Sequence, residues 1–103
     1  MTDATDYMAL VDALEAQSGR ISRLGAGILA ATALGIASDS RSFARILGVA
    51  HALVLRELVA LSGEGGYIRI LKRDERTQRT RYALNRAGAR LLEEIPPEIF
   101  LNN

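Results

Sequence analysis

Between Tyr67 and Leu84 the chain carries two short β-prone stretches, Tyr67-Ile68-Arg69-Ile70-Leu71 and Tyr82-Ala83-Leu84, separated by residues 72–81, which hold no hydrophobic side chain. The flanking stretches suit a half-buried pleated surface and the polar segment does not, so the simplest reading is two strands joined by a long basic loop, a β-hairpin. Whatever precedes this hairpin must then supply the core, and everything that precedes it has helical periodicity.

In residues 6–17, Tyr7, Leu10, Val11 and Leu14 recur at helical spacing, with Asp3, Asp6, Asp12 and Glu15 on the other side. That pattern predicts an amphipathic helix. Gly19 marks a break, and residues 21–36 give a second, more apolar helix. Its nearly apolar run, residues 24–37, falls well short of the roughly 20 residues that span a bilayer, so it is expected to be a buried helix. Gly25, Gly27 and Gly35 each cost a helix interior about 1 kcal/mol relative to alanine, a cost that close packing against a neighbouring helix would offset. The polar stretch 38–42 is rich in capping residues and opens a short third helix with Phe43, Ala44, Ile46 and Leu47. Gly48-Val49 suits a tight turn, after which residues 50–61 place Val54, Leu58 and Leu61 on one stripe of a fourth helix. Residues 62–66 contain three glycines and lead into the hairpin. Beyond it, Asn85 can cap a last helix over 86–94, which Pro96-Pro97 terminates.

A length of 103 residues suits one domain, and 49% hydrophobic with 24% charged residues belongs to an ordered chain. There is no cysteine, which excludes a disulfide framework, a thiolate metal site and a thiol nucleophile. The first residues are acidic and lack the basic-then-apolar pattern of a signal peptide, so a cytoplasmic protein with no membrane role is expected. The net charge of +1 hides a strong asymmetry. Residues 1–19 carry four acids and no base, residues 20–92 hold all 13 lysines and arginines against five acids, and residues 93–103 add three acids. A basic middle between acidic ends suits a phosphate-binding face, although a mixed charged surface would look similar on charge alone.

The order of elements is that of a winged helix-turn-helix: two helices around a tight glycine turn, then a basic hairpin. The expected fold is therefore mainly α with a small β-hairpin, a single winged helix domain over 1–103. It divides into N-terminal helices over 5–37, helix-turn-helix plus wing over 40–92 and a C-terminal tail over 93–103. The segments ARILGV, VLRELVAL and GYIRILKRDERTQRTRYALNRAGARLL resemble the DNA-binding half of MarR-type transcription regulators over about residues 40 to 92. Asp74-Glu75-Arg76 falls where that family carries a D-x-R wing motif, and Leu84-Asn85-Arg86-Ala87-Gly88 is similar to its L-T-x-x-G junction between strand and helix. The resemblance implies that Arg76 enters a minor groove while Asp74 orients it, and that the chain regulates transcription as a dimer, with helix 50–61 in the major groove and wing 67–84 in the minor groove. Arginine suits a narrow groove because its flat cation meets the enhanced negative potential there.

Segment 69–81 holds six basic residues, Arg69, Lys72, Arg73, Arg76, Arg79 and Arg81, against two acids, more bias than protection of an exposed β-edge requires. Lys72, Arg73, Arg79, Arg81 and, ahead of the third helix, Arg41 are accordingly expected to face double-stranded DNA. On helix 50–61, with Val54, Leu58 and Leu61 inward, Ala52 and Arg56 point out, flanked by His51, Leu55 and Val59. Arg56 can bind guanine and His51 a phosphate or base, whereas Ala52 and Leu55 can only touch thymine methyls. Leu55 and Val59 can instead pack on the domain or on another protein, which leaves a protein-interaction module as the competing function. The lone His51 cannot build a multi-histidine metal site, and Gly63-Glu64-Gly65-Gly66 lacks the Lys and Ser/Thr of a nucleotide loop. No enzyme, metal or cofactor is expected. A homodimer is expected through Tyr7, Leu10, Val11 and Leu14 with Ile95, Ile99, Phe100 and Leu101, apolar faces lying outside the DNA-binding half. The alternative is that both ends fold back on their own domain.

Overall fold

The computed structural model describes residues 4–99, with side chains from Asp6 onward. Four helices come first: α1 (Ala4–Gln17), α2 (Arg23–Ala33), α3 (Ser40–Leu47) and α4 (His51–Ser62). The antiparallel strands β1 (Ile68–Arg73) and β2 (Thr80–Leu84) follow, then α5 (Arg86–Glu93) and a 3₁₀ turn, Pro97–Ile99. The architecture is mainly helical with one small sheet. No helix among the described residues is long and apolar enough to cross a membrane.

Helices α2, α3 and α5 start on side-chain caps, whereas α4 follows Ala50 without one and relies on its buried stripe. Ser22 caps α2 by accepting from the Gly25 amide at 2.9 Å. Asp39 caps α3 by accepting from the Arg41 and Ser42 amides at 3.1 and 3.0 Å. Gly48 closes α3 in the left-handed region, at φ 68°, where a β-carbon is disfavoured, and so turns the chain directly into α4. Gly27 is a point of close approach: a β-carbon there would lie 2.7 Å from the Tyr7 hydroxyl, which donates to the Gly27 carbonyl at 3.0 Å. Gly35, expected inside α2, instead lies beyond its end with φ 73°, so it terminates the helix and carries no interior penalty.

One core joins all elements. Leu10, Val11 and Leu14 of α1 are buried together with Ile28 to Ala31 of α2, Phe43 of α3, Val54, Leu58 and Leu61 of α4, and Ile68, Tyr82, Leu91 and Ile95. The apolar face of α1, expected to await a partner, is thus covered within the chain: Leu10 and Leu14 are fully buried, Tyr7 packs at the core margin, and Ile99 is half-buried against the core. The reason is that α2 is apolar on more than one side, so it takes up α1 on one face and α4 on another. Phe100 and Leu101 lie outside the described residues.

The basic segment 72–81 is a shorter loop than its polarity suggested, because both of its ends belong to the strands. Lys72 pairs with Arg81 and Arg73 with Thr80, leaving only 74–79 as the connection, and the ladder carries a bulge between Ile70 and Lys72. Ladder hydrogen bonds belong to the backbone, so a strand in which only Ile68, Thr80 and Tyr82 turn inward needs few hydrophobic side chains. A third segment joins the sheet through a single bridge between Asp39 and Arg81, with the Tyr82 amide donating to the Ser38 carbonyl at 3.2 Å. At the far end, Asn85 accepts from the Gly88 amide at 2.8 Å and donates to the Gly66 carbonyl at 2.9 Å. Gly88 is needed there because a β-carbon would lie 2.2 Å from the Tyr67 carbonyl oxygen. The L-N-R-A-G sequence is therefore a packing junction between α5 and the start of β1.

Candidate nucleic-acid interface

Helix α4 buries Val54, Leu58 and Leu61 and so fixes which of its residues face out. At 100° per residue, Arg56 lies opposite that stripe, with Ala52 and Val59 on one flank and Leu53 and Ala60 on the other. All five are exposed, Val59 to 65% and Leu53 to 48%. Two residues expected on this face turn partly inward: Leu55 packs against the core, and His51 is held by Ser40. Leu53, which the periodicity of the sequence did not single out, takes their place. The helical wheel set by the buried stripe already contains this information, since Leu53 lies only about 60° from Arg56.

The start of α4 is tied to the hairpin by the three residues at the head of α3. Ser40, fully buried, accepts the Thr80 amide at 2.9 Å and lies 2.7 Å from His51 Nε2. Burial lowers the His51 pKa, with Arg41 and Arg79 adding to the effect and Asp39 opposing it, which favours the neutral ring. With its proton on Nδ1, a neutral ring accepts the Ser40 hydroxyl proton at Nε2, which satisfies both groups. Asp39 is 6% exposed and pairs with Arg79 at 2.9 Å while capping α3. Burial works against its charge, but the Ser42 hydrogen bonds, Arg79 and the Arg41 amide hold the carboxyl below its ordinary value. Arg41 Nε and Nη2 both donate to the Thr77 carbonyl, at 3.1 and 2.6 Å. Arg41 and Arg79, expected to contact DNA, thus have structural partners across the α3–hairpin junction. With Ala44, Arg45, Val49 and His51 they also line a shallow depression of about 390 Å³.

The hairpin tip is shaped by Asp74. Its carboxylate accepts the Arg76 and Thr77 amides at 2.9 and 3.0 Å, and its backbone exchanges hydrogen bonds with Arg79 and Gln78. The Thr77 and Arg76 amides keep its pKa below the ordinary value. Gln78 closes the turn at φ 62°. Asp74 therefore orients Arg76 through the backbone and leaves its guanidinium in solvent. Among the described residues, no carboxylate pairs with Arg56, Arg73, Arg76 or Arg81, while the Lys72 charge helps to stabilise the Asp74 carboxylate. Lys72, Asp74, Arg79 and Arg81 lie together on one side of the hairpin, three cations around one anion.

Asp39, Ser40 and Thr80 were not singled out by sequence reasoning. Asp39 was visible only as one of several possible caps in Ser38-Asp39-Ser40, and nothing in the local pattern of Thr80 distinguishes a buried residue from the polar segment around it. No protein-family model matches the chain, and comparison with curated proteins and with solved structures finds no match either.

Proposed function

We propose that this chain is a MarR-like winged helix-turn-helix DNA-binding regulator that acts as a dimer, α4 entering the major groove and the hairpin serving as a minor-groove wing. The observation that carries the reading is Arg56, without a side-chain partner among the described residues, at the centre of the exposed face of α4, followed by a hairpin whose exposed cations are held in register with that helix through residues 39–41. Arg56 reads guanine, Arg76 enters the minor groove, and Lys72, Arg73 and Arg81 contact phosphate. A dimer brings two such faces to two half-sites, and since α1 is occupied within the chain, the pairing surface lies elsewhere.

Anisotropy titration of a labelled duplex at several salt concentrations tests the reading. Affinity should fall steeply with salt, and Arg76→Ala should weaken binding and lower the preference for A·T-rich duplexes, flattening the slope by about 0.9 per wing, or about 1.8 for a symmetric dimer, to the extent that the guanidinium also neutralises a phosphate. Arg56→Ala should instead reduce discrimination between sequences by roughly 1–3 kcal/mol. Unchanged affinity and slope in Arg76→Ala would overturn the wing assignment. A second reading, a protein-interaction module, is favoured by the exposure of Leu53 and Val59 on the same helix face. It predicts binding that salt scarcely affects.

A further inference from the structure

The exposed face of α4 is unusual for a surface that is to read base edges by hydrogen bonds, because Arg56 is its only donor. His51, the one other polar side chain at the start of the helix that could reach a base, is held by Ser40, and Glu57 turns toward α2, where its carboxylate oxygen would lie 3.0 Å from a β-carbon at Gly25. What surrounds Arg56 is Ala52 and Leu53 one turn before it and Val59 and Ala60 one turn after, all exposed and all ending in methyl groups. In the major groove only one base presents a methyl group, thymine through its C5 substituent, while guanine presents the acceptor pair that an arginine fork fits.

We infer that α4 recognises a guanine flanked on both sides by thymines, Arg56 taking the guanine and Leu53 and Val59 the thymine methyls. This rests on the DNA-binding reading above and specifies its target. Leu53 and Val59 lie three residues from Arg56, a rise of about 4.5 Å, and Ala52 and Ala60 four residues, a rise of about 6 Å. Successive base pairs are about 3.4 Å apart, so the two apolar clusters reach about two base pairs to either side of the Arg56 contact. Charge complementarity favours DNA over an apolar protein surface as the occupant: the same face leads into a hairpin whose Arg73, Arg76 and Arg81 have no carboxylate partner among the described residues, and an apolar partner would leave those cations unmatched.

The test is selection of a preferred site from random duplexes, followed by replacement of each thymine in that site by deoxyuridine, which removes the methyl and leaves pairing intact. Wild-type protein should lose roughly three- to fivefold in affinity for each methyl that it touches, at positions within two base pairs of a guanine. Leu53→Ser and Val59→Ser, both at exposed positions and checked for folding by circular dichroism, should bind the thymine duplex about as weakly as wild type binds its uracil counterpart and should no longer distinguish the two. Equal wild-type affinity for thymine and uracil duplexes, with the steep salt dependence retained, would overturn this inference and leave the DNA-binding reading standing. Absence of duplex binding at any salt concentration would overturn both.

Discussion

Replacing Asp39 separates the two jobs that its carboxylate performs. Asp39→Asn keeps a side-chain oxygen able to cap α3 and removes the charge facing Arg79, whereas Asp39→Ala removes both. Loss of an N-cap costs about 1 kcal/mol. The Arg79 interaction adds less than a fully buried pair would, because Arg79 is 42% exposed and solvent screens it, so about 0.5–1 kcal/mol is expected for the charge alone. Asp39→Asn should therefore lower stability by about 0.5–1 kcal/mol and Asp39→Ala by about 2, a fall in Tm of roughly 8–16 °C for the latter in a domain of this size. The pH dependence follows from linkage. The Asp39 pKa is depressed on folding, so its contribution is complete above about pH 4 and is lost as pH falls through the folded value. Urea denaturation monitored by circular dichroism at pH 7 and pH 3 measures both effects. Identical stability of the Asn and Ala variants would refute the capping role, and a wild-type advantage undiminished at pH 3 would refute the charge.

Tyr82→Phe should be neutral or stabilising by about 1 kcal/mol in denaturant titration, because the Tyr82 hydroxyl is buried without a hydrogen-bond partner among the described residues and its removal ends a desolvation cost. Gly88→Ala should destabilise by about 3 kcal/mol in the same assay, since the obstructing atom is the Tyr67 carbonyl oxygen, which is held in place by the Asn85 amide at 3.0 Å. The His51 pKa is lowered on folding, so its contribution is complete above its ordinary value of 6.5 and is lost as pH falls from there toward the folded value. His51→Gln should therefore flatten the stability profile between pH 7 and pH 5, and an unchanged profile would show that His51 does not titrate in that window.

The parts of the molecule that were legible in the sequence are those set by one-dimensional periodicity, and the parts that were not depend on what lies across the chain. Val54, Leu58 and Leu61 fall at i, i+4 and i+7, so the inward stripe of α4 could be read directly, and Gly48 marked the turn before it. The cap at Asn85 was legible for the same local reason. By contrast, the polarity of 72–81 concealed two strand ends, because backbone pairing has no side-chain signature and the one inward residue there, Thr80, is itself polar. The covering of α1 by α2 was illegible because an apolar face states only that it must be covered, and α2 offers no sequence mark of which neighbour it will take. The site shows the same division. Arg56 and the charged hairpin were visible as residue types, but whether a cation is free or already committed is a matter of tertiary distance. Arg41 spends its guanidinium on Thr77 and Arg79 on Asp39, while Arg56 and Arg76 have no such partner among the described residues, and four arginines alike in sequence thereby divide into two that hold the hairpin against α3 and two that those residues leave uncommitted.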